Sequence, residues 1–179
     1  DNFGSDVSLS PDGNTAVIGS PYDSTYTGAV YVFTRSGSTW TQHSKLVAND
    51  AAQDSYFGRS VSLSGNGNYL IVGSAYTDTS YTNDGSAYIF VRDTSNNTWS
   101  QQSKLLASNA EASDYFGSQV TMNFDGTYAA IGVPSEDTGG TSAGSVYIFA
   151  RSGSSWSEQA ILQSSDVAVN ELFGISIDI

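Results

Sequence analysis

Residues 3–21 read FGSDVSLSPDGNTAVIGSP, and the chain then writes the same pattern again. Residues 57–75 read FGRSVSLSGNGNYLIVGSA and residues 116–134 read FGSQVTMNFDGTYAAIGVP, aligned without a gap. A fourth Phe-Gly stands at Phe173-Gly174, so the pairs recur at intervals of 54, 59 and 57 residues. A second block follows in each unit, GAVYVFTR from Gly28, GSAYIFVR from Gly85 and GSVYIFAR from Gly144. A third begins at Trp40, Trp99 and Trp156. Self-similarity at this period marks a repeat array built from one supersecondary unit per copy. The units are 1–56, 57–115 and 116–172, and residues 173–179 open a further one with its first strand.

Each unit parses into four strands, a to d. The first, as in Val7-Ser8-Leu9, alternates apolar and polar residues with period two. It ends in a turn carrying Asp12-Gly13, Asn66-Gly67 or Asp125-Gly126, which is hairpin chemistry. The second and third strands are apolar at consecutive positions, as in Ala16-Val17-Ile18 and Ala29 to Phe33, so both faces of the sheet are buried. The fourth starts near each tryptophan. Helical periodicity and helix caps are missing. The pattern predicts an all-β chain of tandem four-stranded antiparallel meanders packed as β-propeller blades, three repeats plus one extra strand. A twisted sandwich of the same meanders is the alternative.

These blocks resemble the FG-GAP repeats of integrin α-chain heads and related surface proteins. Phe-Gly opens each unit, Gly19-Ser20-Pro21 stands for Gly-Ala-Pro, and Gly28 to Phe33 is the strand that follows; Gly73-Ser74-Ala75 and Gly132-Val133-Pro134 are looser versions. The resemblance implies a propeller blade at the cell surface or outside the cell, used for adhesion or ligand recognition. Calcium-binding members carry Asp-x-Asp-x-Asp-Gly between the first two strands, because Ca²⁺ takes 6–8 oxygens. Here Asp12, Asn66 and Asp125 are left as turn residues, so no cofactor is expected and calcium is not expected in these turns.

Composition narrows the partners. The 179 residues carry 6 Lys+Arg against 18 Asp+Glu, a net charge of −12, with only 13% charged, where ordinary domains have about 25%. Such a surface repels phosphate backbones and anionic membranes, so neither nucleic acid nor membrane insertion is expected. The meander topology assigns twelve of the acids, Asp1, Asp23, Asp50, Asp54, Asp78, Asp84, Glu111, Asp114, Glu136, Asp137, Asp166 and Glu171, to the edge formed by the b–c and d–a loops. Arg35, Arg92 and Arg151 fall on the other edge. Opposite edges of that kind favour head-to-tail contact between copies. Asp50 with Asp54 is a weak candidate pair for a cation.

Tyrosines also crowd the b–c loops. Tyr22, Asp23 and Tyr26 in the first unit, Tyr76, Asp78 and Tyr81 in the second, and Glu136 with Asp137 in the third are candidate partner- or glycan-binding residues, since a phenol ring offers an apolar face and a hydroxyl. Asn96-Asn97-Thr98 is a glycosylation sequon on a c–d turn. Phe173, Gly174, Ile175, Ile177 and Ile179 form a candidate assembly strand able to complete a neighbour's sheet. The single histidine, His43, sits on strand d, and no phosphate loop or histidine metal motif is present. The expected role is therefore non-catalytic: an extracellular structural or adhesive protein contacting copies of itself or other extracellular proteins. Ligand binding on the tyrosine loops is the alternative.

Overall fold

A computed structural model describes residues 2–137, 140–166 and 168–179; Asp1, one of the acids assigned above, lies outside them. Among the described residues, twelve strands form three separate four-stranded antiparallel sheets in simple meander order. The first contains β1 (Val7–Leu9), β2 (Thr15–Ser20), β3 (Ala29–Ser36) and β4 (Thr39–Leu46). The second contains β5 (Ser60–Leu63), β6 (Tyr69–Ser74), β7 (Ser86–Asp93) and β8 (Thr98–Leu105). The third contains β9 (Gln119–Met122), β10 (Tyr128–Val133), β11 (Ser145–Ser152) and β12 (Ser155–Leu162). The one helical assignment among the described residues is a single turn at Asp23–Tyr26, left-handed at Ser24 and Thr25.

The sheets pack as propeller-like blades. The short inner strands β1, β5 and β9 lie against one another, and the outer strands meet through long polar side chains. Asn97 Nδ2 lies 2.9 Å from His43 Nε2, and Trp156 Nε1 donates to Gln102 Oε1 at 3.1 Å. Every β-pairing between the third and fourth strand slips at the same place, between Val32 and Phe33, Ile89 and Phe90, and Ile148 and Phe149. The extra residue of that bulge is His43, Gln102 or Gln159, and a bulge re-aims the side chain it carries. His43 is therefore turned toward the neighbouring blade.

One core sits in each gap between blades. Val17, Val30, Val32 and Leu46 of the first blade close on Phe57, Val61, Leu63, Leu70, Val72 and Phe90 of the second. Ile71, Ala87, Ile89 and Leu105 close on Phe116, Val120, Met122, Ala129, Ile131 and Phe149 of the third in the same way. Consecutive apolar residues in the second and third strands follow from this: each central strand serves the core on both sides.

The glycines of the repeat set the blade spacing. A Cβ on Gly19 would stand 1.9 Å from the Gly58 carbonyl oxygen, and the same construction gives 2.1 Å from Gly73 to Gly117 and from Gly132 to Gly174. Phe57-Gly58, Phe116-Gly117 and Phe173-Gly174 therefore cross the preceding blade backbone to backbone, and isolated parallel bridges join Gly28 to Phe57, Gly85 to Phe116 and Gly144 to Phe173. Phe57 then turns its ring edge-on to Tyr88 and Phe90, and Phe116 does the same to Tyr147 and Phe149.

Polar residues on the inner strands have a second use. Each inner strand pairs on one side only, and its free N–H groups receive side chains from the blade before. Val61 N donates to Asp6 Oδ2 at 2.8 Å and Leu63 N to Ser8 Oγ at 3.0 Å. Val120 N and Met122 N donate to Ser60 Oγ and Ser62 Oγ, both at 3.1 Å. The polar half of the period-two pattern thus closes the sheet edge, a buried donor being costly to leave without a partner.

Residues 173–179 depart from expectation. Phe173 N bonds Ala143 O at 2.8 Å and bridges Gly144, but no strand forms at Ile175, Ile177 or Ile179.

Candidate functional site

Two surfaces stand out: the open face of the first blade and the loop edge.

On the first blade, Phe3, Leu9 and Trp40 are 54%, 56% and 41% exposed. Their equivalents Phe57 and Leu63 lie in the core under the first blade, with Trp99 packed against it. Phe3, Leu9 and Trp40, together with Val7, Ala16, Ile18 and Phe33, line an apolar cavity of about 410 Å³. The opposite end mirrors this. Leu162 is 46% exposed, whereas the equivalent Leu46 and Leu105 are 7% and 4% exposed against the next blade. The two ends carry the two halves of the interface that the chain makes twice internally.

The loop edge gathers tyrosines. Tyr22, Tyr26 and Tyr56 form a triangle with ring centroids 5.4–5.5 Å apart. Tyr56 continues to Tyr76 at 4.9 Å and Tyr76 to Tyr115 at 5.1 Å, making one row across the first two repeats. Tyr81 stands apart beside a separate cavity with Ala107 to Glu111. Tyr56 and Tyr115 were not among the expected residues, yet each immediately precedes a Phe-Gly, and that repeated Tyr-Phe-Gly is the signal that could have found them. Burial, followed by the charge of Asp54, raises the Tyr56 phenol above its ordinary range, so it stays protonated.

Many of the loop acids do not form an exposed charged edge, contrary to the sequence expectation. Asp84 is fully buried and accepts from the backbone N–H of Thr79, Ser80 and Tyr81 and from the Thr79 hydroxyl. Burial opposes its ionisation, but those donors hold it below the usual carboxylate range. Asp23 bonds the Ser24 and Tyr31 hydroxyls and pairs with Lys45 at 2.9 Å, which lowers it to about 2. Asp78 and Asp137 accept the N–H of Asn83 and Ser142 at 2.7 and 2.6 Å, closing equivalent loops. Glu136 is buried and accepts from Ser145 Oγ at 2.7 Å. Asp114, also buried, is pushed up to about 6, first by desolvation and then by the charges of Glu136, Glu111 and Asp137. Asp78, Asp84, Asp114 and Asp137 thus cap backbone N–H groups of their loops, whereas Asp23 and Glu136 accept from side chains.

Asp50 bonds Lys104 Nζ at 2.7 Å across the blade gap, while Asp54 is exposed. No group of three or more metal-ligating side chains occurs among the described residues. In the first turns, Asp12 accepts from Ser10 and Asn14, and Asn66 from Ser64 and Asn68; Asp125 is exposed. The basic edge is similarly engaged. Arg35 bonds Asn14, Arg92 bonds Asn97, and Arg151 bonds Gly126 O and lies 4.2 Å from the Tyr69 ring centre. Asn96 is exposed on the β7–β8 turn and accepts from Thr98 N and Oγ1.

Among the described residues no helix is long and apolar enough to cross a membrane. No curated protein matches the chain in sequence. Solved structures of similar fold include a candidate 6-phosphogluconolactonase from Bacteroides fragilis (TM-score 0.60, 16% identity, 88% of this chain and 38% of that one). Sqt1 from Chaetomium thermophilum (0.60, 12%, 93% and 36%) and the Pseudomonas aeruginosa periplasmic gluconolactonase (0.55, 19%, 90% and 39%) are others. The chain spans about two-fifths of the length of these structures. Their names correct the expectation of a non-catalytic chain: lactonases occur on this scaffold, so repeated blades are no argument against catalysis. At such identities the likeness shows the fold alone. The FG-GAP repeat profile matches residues 1–33, 40–90 and 99–149, the segments whose Phe-Gly and glycine-strand blocks make the blade contacts described above, and the chain belongs to the FG-GAP repeat family.

Proposed function

We propose that this chain is an extracellular structural or adhesive module that works by blade-on-blade contact, head to tail, with a copy of itself. The observation that carries this is the open apolar face of Phe3, Val7, Leu9 and Trp40, whose equivalents are covered by a blade at both internal interfaces. Burying one large apolar side chain is worth about 1.5–3 kcal/mol, so covering several supports association. The contact is heterologous, which builds open arrays or rings depending on the rotation per copy. The exposed Asn96 sequon and the family membership support an extracellular setting.

Sedimentation velocity over a concentration series tests it. Association is expected to persist at high salt and to disappear in Leu9→Lys/Trp40→Asp. A chain that stays monomeric throughout refutes the reading, and association abolished by salt points to charged edges instead.

A second reading, ligand recognition at the loop edge, is supported by the row from Tyr22 to Tyr115.

A further inference from the structure

A cavity of about 290 Å³ lies at the loop ends of the inner strands, lined by Asn2, Ser5, Pro21, Tyr22, Tyr56, Arg59 and Gln119. All three repeats contribute. Ser5 comes just before β1, Arg59 just before β5, and Gln119 opens β9. The volume suits one small ring, being near the lower limit for ligand pockets.

Arg59 is the informative residue. Aligned on Phe-Gly, its position holds Ser5 in the first repeat and Ser118 in the third. The scaffold therefore accepts serine here, and the arginine is an individual feature of the second repeat. Its side chain is exposed, its guanidinium lies 5.4 Å from the Tyr76 ring centre, and Nη1 reaches Tyr76 Oη at 3.4 Å. The ion pairs among the described residues are Lys45–Asp23 and Lys104–Asp50. Arg59 thus presents a cationic fork, steadied on an aromatic ring and without a carboxylate partner among the described residues, in a chain of net charge −12.

We propose that this cavity binds a sugar bearing a carboxylate. The guanidinium fork matches a carboxylate geometrically, two parallel N–H donors to two oxygens. One cation in a strongly acidic protein suits a singly charged group better than a doubly charged phosphate. The lining is predominantly polar: the amides of Asn2 and Gln119 with the Ser5 hydroxyl supply partners for the hydroxyls of a sugar, and Tyr22 and Tyr56 border it. The inference rests on the loop-edge reading and is independent of end-face association.

Titration calorimetry with D-glucuronate, D-glucose and acetate tests it, on wild type, Arg59→Gln, Arg59→Lys and Tyr22→Ala. Circular dichroism melts establish that each variant is folded. Glucuronate is expected to bind wild type at least tenfold tighter than glucose or acetate. Arg59→Gln should lose at least tenfold, Arg59→Lys should recover only part of it, and Tyr22→Ala should also weaken binding. Absence of glucuronate binding, or binding unchanged in Arg59→Gln, overturns the site. Acetate binding as tightly as glucuronate overturns the sugar assignment. A glycan or protein partner that binds wild type and Arg59→Gln alike but is lost in Tyr26→Ala would keep the loop-edge reading while overturning this cavity as its site.

Discussion

Replacing Gly73 by alanine isolates the device that fixes the distance between blades. The new Cβ would stand 2.1 Å from the Gly117 carbonyl oxygen and 3.1 Å from its carbon. Both neighbours are backbone, so no side chain can swing away. Real Cβ contacts stay above 3.0 Å, so the third blade must retreat by about 0.9 Å. Overpacking of this kind costs about 1–3 kcal/mol. The same retreat stretches the bonds from Val120 N to Ser60 and from Met122 N to Ser62, now 3.1 Å each, past useful length, at about 1 kcal/mol apiece. The expected loss is therefore about 3–5 kcal/mol, or roughly 6–20 °C in midpoint for a chain of this size. Gly37→Ala is the control. It sits at φ +61 with nothing within 4 Å of the added atom, so only left-handed strain of about 1–2 kcal/mol applies. Thermal and urea unfolding followed by circular dichroism compare the two. If Gly73→Ala is no more damaging than Gly37→Ala, backbone contact between Phe-Gly and the glycine strand is not what sets the blade spacing.

Four further outcomes are expected. Ser62→Ala removes the acceptor for Met122 N–H; the expected cost is about 1 kcal/mol, with faster hydrogen exchange at the Met122 amide, and unchanged exchange would refute the capping role. Asp114, raised from 3.8 to about 6, binds its proton in the folded state before the unfolded chain does. Its contribution to stability is therefore full below pH 4 and is lost as pH rises through 4–6. Asp114→Asn should gain midpoint relative to wild type across that window, and a difference that does not vary with pH refutes the assignment. The lowered Asp23 acts oppositely, its stabilisation disappearing as pH falls from 3.8 toward about 2. If the chain is secreted from eukaryotic cells, intact mass should fall on glycosidase treatment of wild type but not of Asn96→Gln; an equal fall in both excludes Asn96 as the acceptor.

The repeat was legible in sequence because its signals are local. Phe-Gly, the glycine before each third strand, the hairpin turns and the double-sided apolar runs are fixed by residue type and spacing, and they were enough to specify four strands per unit and their order. The family resemblance rests on the same residues. The tyrosine row was half legible: Tyr22, Tyr26 and Tyr76 stand in visible loops, but Tyr56 and Tyr115 join them only because each d–a linker folds beside a b–c loop.

What the sequence could not carry is whether a side chain meets a partner from another repeat. Fifty or more residues separate Ser8 from Leu63 and Asp50 from Lys104, and spacing along the chain says nothing about such contacts. For the same reason several acids that look like part of a charged edge prove to cap loop N–H groups, Asp84 and Asp114 among them, since an unpaired donor is costlier than a desolvated carboxylate with several bonds. Sequence determined that the blades exist and how each is made. Tertiary structure decided which faces were used up between them, and so left open the face at Phe3, Leu9 and Trp40 and the cavity at Arg59.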